Sequence, residues 1–311
     1  MQRVRDLGEF GLIDRIARLA GRAGRAGVVL GIGDDAAILR LRTGEELVAT
    51  TDAAVEGVHF RLDQETPRLA GRRAALGCLS DLAAMGARPL GLLLGLALPP
   101  ALPVATALGL ARGLLAESRR ASASLVGGNV TRARDISLTL TALGAVRRGH
   151  ALRRDRGRAG DRLFVTGALG QSALERARGR VRTVPELRIA AGRRLARLSD
   201  VGACIDLSDG LASDLLQLCR ASGVSARIEP ARVPTPAGFA GACARARLDP
   251  LQLALMGGED YELLFSVRRT GPGGAALTRR LRVPVSEVGR LEPGRPRVRG
   301  LPIRAEGWRH F

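Results

Sequence analysis

The sequence predicts an α/β protein (α+β in the wider sense) of two domains, and three observations carry that prediction. Segments with strand and helix periodicity alternate along all 311 residues, without a tandem repeat of about 20–50 residues. That length exceeds the roughly 150 residues of an ordinary domain, so two cores are expected. An arginine- and glycine-rich segment, residues 147–160, separates two such alternating halves. We therefore expect domains at 1–147 and 148–311.

Each element of the first half follows from a local pattern. Apolar residues at Phe10, Ile13 and Ile16 recur at helical spacing, and Thr66 before Pro67 is a typical helix start. Aliphatic runs bounded by glycine, proline or polar residues predict strands. The expected order is a helix over 7–20, a strand over 45–52, a helix over 67–85, a strand over 91–98, a helix over 104–119, a short strand over 124–126 ending at Gly127-Gly128, and a strand over 136–146.

The same rules apply to the second half. Short aliphatic runs predict strands, and longer segments with apolar residues every three or four positions predict helices. The expected order is a strand over 162–166, helices over 171–178 and 186–198, a strand ending at Asp206, a helix over 211–221, strands over 226–228 and 261–267, a helix over 275–281, and strands over 285–288 and 297–303.

The composition excludes several classes of enzyme. All 49 basic residues are arginine, against 30 acidic residues, for a formal net charge of +19. A P-loop nucleotide site and a protein-kinase site each require a lysine on the phosphates. A pyridoxal-phosphate or Schiff-base enzyme requires a reactive amine. A chain without lysine can contain none of these sites.

The charge also raises the alternative of a nucleic-acid-binding protein. Arginine, alanine and glycine are enriched together along the chain, which is typical of genomic base-composition bias. One Trp, one Tyr and six Phe offer few platforms on which bases can stack. We therefore expect no specific nucleic-acid partner.

Cysteine usage and hydropathy indicate a compartment. The four cysteines are far apart in apolar surroundings, which favours buried thiols in a reducing environment; they are Cys78, Cys204, Cys219 and Cys243. The first ten residues lack the apolar core of a signal peptide, and the longest apolar stretch, 89–104, is interrupted by prolines. We expect a cytoplasmic protein without a membrane span.

Acidic residues recur among Gly, Ser and Thr at the predicted ends of strands and helices. Carboxylates concentrated in a cationic chain suggest that a cation binds among them, and oxygen ligands without His or Cys favour Mg²⁺. Taken singly, each segment is better explained as a turn, a polar position on a helix or a helix cap. The segments are 31–37 (GIGDDAA), 50–52 (TTD), 79–82 (LSDL), 127–129 (GGN), 206–210 (DLSDG) and 257–262 (GGEDYE).

Taken together and in this order, the segments resemble the thiamine-monophosphate kinase family over nearly the full chain. The sequences VEGVHF at 55–60 and LSDLAAMGA at 79–87 are specific to that family, and GEF at 8–10 fits it as well. The family belongs to a superfamily with aminoimidazole-ribonucleotide synthetase and selenophosphate synthetase, whose members bind ATP without a P-loop. The resemblance implies their two-domain fold, with an N-terminal mixed sheet that forms a barrel across a homodimer and binds ATP and Mg²⁺, and a C-terminal α/β domain.

The resemblance also implies an activity and its residues. The activity is Mg-assisted, in-line transfer of the ATP γ-phosphoryl group to thiamine monophosphate, without a covalent nucleophile. The implied magnesium ligands, for several ions, are Asp35, Thr50, Thr51, Asp52, Asp81, Asn129, Asp206 and Asp209. The implied ATP contacts are Gly128, Asn129, Arg154 and Ser208, and the implied substrate contacts are His59, Glu259 and Trp308.

Some of these positions have other interpretations. The family often has Asp where this chain has Asn129, and an amide ligates Mg²⁺ without adding charge. Without the resemblance, His59 would be interpreted as a core histidine, and Trp308 as a residue that packs on the last strand. Arg154 is one of several neighbouring arginines, so its individual role is less specific than that of its segment.

Two other functions remain as alternatives. One is a sibling ATP-dependent synthetase, although the chain lacks the N-terminal Cys or Lys of selenophosphate synthetase. The other is a non-catalytic metabolite- or RNA-binding relative, which Asn129 and the net charge of +19 suggest. The acidic residues at 35, 52, 81 and 206 argue against it, because a binder of phosphates would place cations there.

Overall fold

The computed structural model describes residues 2–21 and 27–301. These residues divide into two compact units. Unit 1 comprises the described parts of Met1–Leu82, Arg88–Arg148 and Val181–Val184; unit 2 comprises those of Ala83–Ala87, Gly149–Arg180 and Pro185–Phe311. None of the helices in the described ranges is both long enough and apolar enough to cross a membrane.

Unit 1 is built on a mixed four-stranded sheet. Its elements are α1 (Val4–Ala20), β1 (Val28–Leu30), β2 (Ile38–Leu39), β3 (Glu45–Val55), α2 (Pro67–Ala84, whose last two residues belong to unit 2), β4 (Arg88–Leu98), α3 (Val104–Arg120), β5 (Ser124–Arg132) and β6 (Ser137–Arg147). The strand order is β3-β6-β4-β5, in which only β4 and β5 are parallel, and β1 and β2 form a separate antiparallel pair.

Helices α2 and α3 approach each other at backbone distance. A Cβ atom on Gly71 would lie 2.0 Å from the Leu110 carbonyl oxygen, and one on Gly113 would lie 2.0 Å from that of Arg68. Only glycine leaves room for this approach. Toward its C-terminal end, α2 reaches the sheet, where the Cys78 thiol donates to the Leu140 carbonyl at 3.4 Å. This contact brings the acidic end of α2 close to β6.

Unit 2 is built on a mixed six-stranded sheet. Its elements are β7 (Arg162–Thr166), α4 (Gln171–Ala177), α5 (Ile189–Leu195), β8 (Val201–Asp206), α6 (Leu211–Ser222), β9 (Ser225–Ile228), α7 (Phe239–Ala246), α8 (Pro250–Met256), β10 (Leu263–Val267), α9 (Gly274–Leu281), β11 (Val285–Glu292) and β12 (Val298–Arg299). The strand order is β12-β9-β11-β7-β10-β8, in which only β12 and β9 are parallel.

The core of unit 2 lies between this sheet and α6. Leu163, Ile205 and Leu264 from the strands and Leu215 and Leu218 from α6 are buried in one cluster. Phe164 and Phe265, which alternate with those strand residues, stack with ring centroids 5.8 Å apart. Burial of a leucine or phenylalanine of this kind contributes about 1.5–3 kcal/mol.

Most predicted elements are present, and the differences have physical causes. The predicted strand at 124–126 is too short: β5 continues through Gly127 and Gly128 to Arg132, because Gly128 lets the strand lie against β4. The predicted helix over 186–198 is shorter, Ile189–Leu195. Helices α7 and α8 and strands β1 and β2 were not predicted. Of the predicted strand over 297–303, residues 298–299 form β12 and 302–303 lie outside the described part.

Candidate functional site

Three of the predicted magnesium ligands lie together where β3 faces the end of α2. The Thr50 hydroxyl donates to Asp81 Oδ2 at 2.5 Å. Burial and the nearby carboxylates of Asp52 and Asp81 together raise the pKa of the Cys78 thiol to about 12, so both carboxylates lie near that thiol. Asp52 is exposed, and its Oδ1 accepts from the Ala53 amide at 2.8 Å. An exposed and a half-buried carboxylate therefore share one neighbourhood with a hydroxyl.

The other candidates of unit 1 lie apart from this group. Thr51 donates its hydroxyl to the Leu140 carbonyl at 3.1 Å. Asp35 is exposed in a bend between β1 and β2, where its amide donates to Asp34 Oδ1. Asn129 is exposed on β5, three strand positions from β3 and so about 14 Å across the sheet. Within residues 2–21 and 27–301, no three His, Cys, Asp or Glu side chains converge on a point that could hold a metal.

Gly128 is a place where two strands meet closely. A Cβ atom there would lie 2.1 Å from the carbonyl oxygen of Leu94 on β4. The sheet register aligns Gly128 with Leu94, Leu94 with Leu140, and Leu140 with Asp52. The glycine-rich segment and the acidic end of β3 thus lie in one row across the sheet.

The ring of His59 is fixed by its own turn. The Val55 amide donates to His59 Nδ1 at 3.1 Å, and the His59 amide donates to the Val55 carbonyl at 2.9 Å. Arg73 pairs with buried Glu65 and donates to the His59 carbonyl at 3.3 Å. Because a backbone N–H can only donate, Nδ1 must accept, and the neutral ring carries its hydrogen on Nε2. The ring is half-buried.

In unit 2, three candidate residues follow the end of β8. Asp206 is buried at the last position of the strand, and Ser208 and Asp209 are half-buried just after it. A residue that the sequence analysis missed, Asp214, accepts from the amides of Asp209 and Gly210 at 3.0 and 3.1 Å. Burial, together with the charges of Asp209 and Asp206, raises the pKa of Asp214 to about 8. One sequence signal could have identified Asp214: it is an acidic residue in the first turn of a predicted helix, four residues after Gly210.

The segment 257–261 binds directly to this loop. The Glu259 amide donates to the Ser208 carbonyl at 2.7 Å, and the Tyr261 amide donates to the Leu207 carbonyl at 2.9 Å. A Cβ atom on Gly258 would lie 2.3 Å from the Ser208 carbonyl oxygen. The candidate ATP residue Ser208 and the candidate substrate residue Glu259 therefore lie on two loops joined by backbone hydrogen bonds.

The remaining candidates are Arg154 and Trp308. Arg154 is exposed at the start of a 3-10 turn, and its carbonyl accepts from the Ser222 hydroxyl at 2.6 Å. Burial and Asp206 raise the pKa of the Cys204 thiol, whereas Arg154 lowers it, so both charges lie near that thiol. Trp308 lies outside the described residues.

Curated proteins and solved structures named thiamine-monophosphate kinase are similar to this chain over most of its length. Residues 33–146 match the family model of the AIR synthase related protein, N-terminal domain. Thiamine-monophosphate kinase from Escherichia coli K12 is 37% identical over 91% of this chain and 90% of its own. The crystal structure of thiamine-monophosphate kinase from Stenotrophomonas maltophilia K279a is 35% identical, with a TM-score of 0.81 over 95% of this chain and 96% of that one.

A further solved structure contains ligands. AaThiL complexed with AMPPCP and TMP is 28% identical, with a TM-score of 0.76 over 100% of this chain and 99% of that chain. The likeness extends over both units of the present chain.

Proposed function

The chain belongs to the thiamine-monophosphate kinase family, and from that premise we propose which of its residues carry out the reaction. The protein is a kinase that phosphorylates thiamine monophosphate with ATP, giving thiamine diphosphate and ADP. The related protein that binds AMPPCP, an ATP analogue, together with TMP supports ATP as the co-substrate. The observation that carries the residue assignment is the contact between Thr50 and Asp81 beside Asp52.

These residues fit magnesium. Their donor atoms are all oxygens, and Mg²⁺ in phosphoryl-transfer sites is held by one or two carboxylates together with substrate phosphates. We assign Asp52, Asp81 and Thr50 to a first magnesium position, and Asp206 and Asp209 to a position in unit 2. Asp35, Thr51 and Asn129 complete the proposed ligands. When bound, the ions neutralise the negative charge that the phosphates bring together.

The chain's own residues need to supply little covalent chemistry. The acceptor is a phosphate whose oxygen is already nucleophilic at neutral pH, so no general base is required and in-line positioning is the main task. We assign Gly128, Asn129, Arg154 and Ser208 to ATP. We assign His59 and Glu259 to the thiamine substrate, with Nε2–H of His59 as the donor. Trp308 keeps the substrate role that the resemblance implies.

A homodimer is the proposed assembly. Among the described strands, β3 pairs only with β6, which leaves its other edge without a strand partner. Leu47 on β3 is 54% exposed. An edge of eleven residues that carries an exposed leucine is suited to pairing with a second copy, since unpaired edges otherwise invite aggregation. This supports the assignment of dimerisation to domain 1–147. We further assign ATP and Mg²⁺ binding to that domain, with 148–311 as the C-terminal domain.

The proposed location is the cytoplasm. All four cysteines are free and buried. Unpaired thiols are typical of a reducing compartment.

The test is an assay of ADP and thiamine diphosphate formed from ATP, Mg²⁺ and thiamine monophosphate. We expect Asp81→Asn to lower kcat/KM by at least about 100-fold, because it removes a negative charge that would hold the magnesium ion against the phosphates. Asp14→Asn is the control: it removes the same charge from an exposed ion pair with Arg18. If folded Asp81→Asn keeps activity within threefold of that control, the assignment of the magnesium site is wrong.

A further inference from the structure

The segment that carries Glu259 is held in a costly backbone conformation. Glu259 and Tyr261 have φ values of 63° and 51°, the left-handed region that residues with a side chain rarely adopt. Such residues persist only where their surroundings fix them, and they cluster at sites that must be preorganised. The loop after β8 fixes this segment on one side, through the amides of Glu259 and Tyr261.

Helix α4 fixes the same segment on the other side. The Ser172 hydroxyl donates to the Glu259 carbonyl at 2.8 Å, and the Gly170 amide donates to Asp260 Oδ2 at 2.8 Å. Arg176, one turn further along, donates from Nη2 to the Gly258 carbonyl at 3.0 Å. Its Nη1 lies 2.5 Å from Glu259 Oε2.

Arg176 is the member of this group that reaches the side chain of Glu259. A guanidinium is planar and carries a delocalised charge, so Arg176 can donate a hydrogen bond to the Gly258 carbonyl while its charge attracts the Glu259 carboxylate. The Gly258 carbonyl sets the position of the guanidinium, and the guanidinium sets the position of the carboxylate one residue later. The Arg176 and Glu259 side chains are 34% and 22% exposed, so water reaches the pair without dominating it.

We propose that Arg176 is a positioning residue for the thiamine substrate, which holds the Glu259 carboxylate in the orientation that binds it. This inference rests on the proposed role of Glu259. Arg176 itself acts through Glu259 and has no separate part in phosphoryl transfer. Its removal therefore weakens binding of the acceptor and leaves binding of ATP unchanged.

The experiment measures KM for thiamine monophosphate and for ATP in Arg176→Ala, Glu259→Gln and the double variant. We expect Arg176→Ala to raise KM for thiamine monophosphate about three- to tenfold, with KM for ATP within about twofold. In the Glu259→Gln background the same change should add less than about twofold, because the contact is already lost. Thermal unfolding is recorded for each variant.

Two further variants separate positioning from folding. Arg178→Ala removes an exposed arginine two residues away, whose Nη2 binds the Ala242 carbonyl and not this segment, and we expect unchanged kinetics. Arg176→Gln keeps an N–H donor for the Gly258 carbonyl but loses the charge that faces Glu259. It should reproduce the rise in KM with the melting temperature of the Arg178→Ala control.

Each contrary result identifies its own error. If Glu259→Gln leaves KM for thiamine monophosphate unchanged, the assignment of Glu259 under the proposed function is wrong, and the inference fails with it. If Glu259→Gln raises KM but Arg176→Ala and Arg176→Gln behave like Arg178→Ala, only the inference is overturned. Effects that multiply in the double variant, or a rise in both KM values with a lower melting temperature, show a merely structural role and overturn it as well.

Discussion

Removal of Arg188 should destabilise unit 2, because the carboxylate of Glu262 then stays buried without its ion-pair partner. Arg188 Nε and Nη2 each donate to Glu262 at 2.6 Å, and the Thr166 hydroxyl donates to Glu262 Oε2 at 2.5 Å. Glu262 is 4% exposed and lies immediately before β10, directly after the segment that carries Glu259. Arg188→Met keeps much of the side-chain volume and removes the charge. Among the described residues, no other cation pairs with this carboxylate, so the variant leaves it buried without a direct ion-pair partner.

The expected loss is about 3 kcal/mol of unfolding free energy at pH 8, since breaking one side of a buried ion pair costs about 3–5 kcal/mol. The loss depends on pH. Burial raises the pKa of Glu262 even with Arg188 bound to it, and loss of that guanidinium raises the pKa further. A carboxyl with a higher pKa folded than unfolded binds its proton more tightly in the folded state. The variant therefore gains stability relative to wild type as pH falls from 8 to 6, by up to about 1.4 kcal/mol per pH unit.

Urea unfolding followed by far-UV circular dichroism at pH 6 and pH 8 measures this effect. Arg197→Met, at an exposed position after α5, is the matched control and should unfold like wild type at both pH values. Adding Glu262→Gln to Arg188→Met should recover more than half of the loss at pH 8, because the stranded charge is gone. A loss below about 1 kcal/mol, or one equal at the two pH values, would refute the reasoning.

Two further predictions concern unit 1. Gly128→Ala should destabilise the sheet by about 2 kcal/mol and raise KM for ATP, because its Cβ would lie 2.1 Å from the Leu94 carbonyl oxygen. Gly95→Ala on the neighbouring strand, whose Cβ would meet Thr139 at an ordinary 3.5 Å, should cost little, and equal melting temperatures for the two variants would contradict this explanation. In nitrogen-detected NMR, the neutral ring of His59 should carry its hydrogen on Nε2; a neutral ring with the hydrogen on Nδ1 would exclude the bond from the Val55 amide.

The sequence predicted most of the fold because its local signals are strong. The start of α2 is one case: Thr66 accepts from the Leu69 amide at 3.2 Å, as the Thr-Pro pattern indicated. Helix α8 was missed although Asp249 caps it and Pro250 opens it. Its seven residues make only about two turns and are nearly all apolar, so they show no helical periodicity. Strand β5 ran past its predicted end because a glycine pair marks either a turn or a close approach of strands, and only the neighbouring strand decides which.

The sequence indicated which types of residue make up the candidate site, but it did not indicate which of them contact each other. Thr50 and Asp81 are 31 positions apart in sequence, and nothing local to either indicates that they form a hydrogen bond. The roles of Asp214 and Arg176 were missed for the same reason, since each acts on a loop that only the folded chain brings near. Recurrent acids among small residues could be recognised in the sequence, whereas the groups that orient them could not.

The hydrogen bond between the Glu259 amide and the Ser208 carbonyl has a thermodynamic consequence. With Ser208 at ATP and Glu259 at the acceptor, as we propose, a ligand that moves either loop also moves backbone that contacts the other ligand. The two binding sites are therefore linked. Any change that ATP causes in the affinity for thiamine monophosphate is matched by the same factor in the reverse direction.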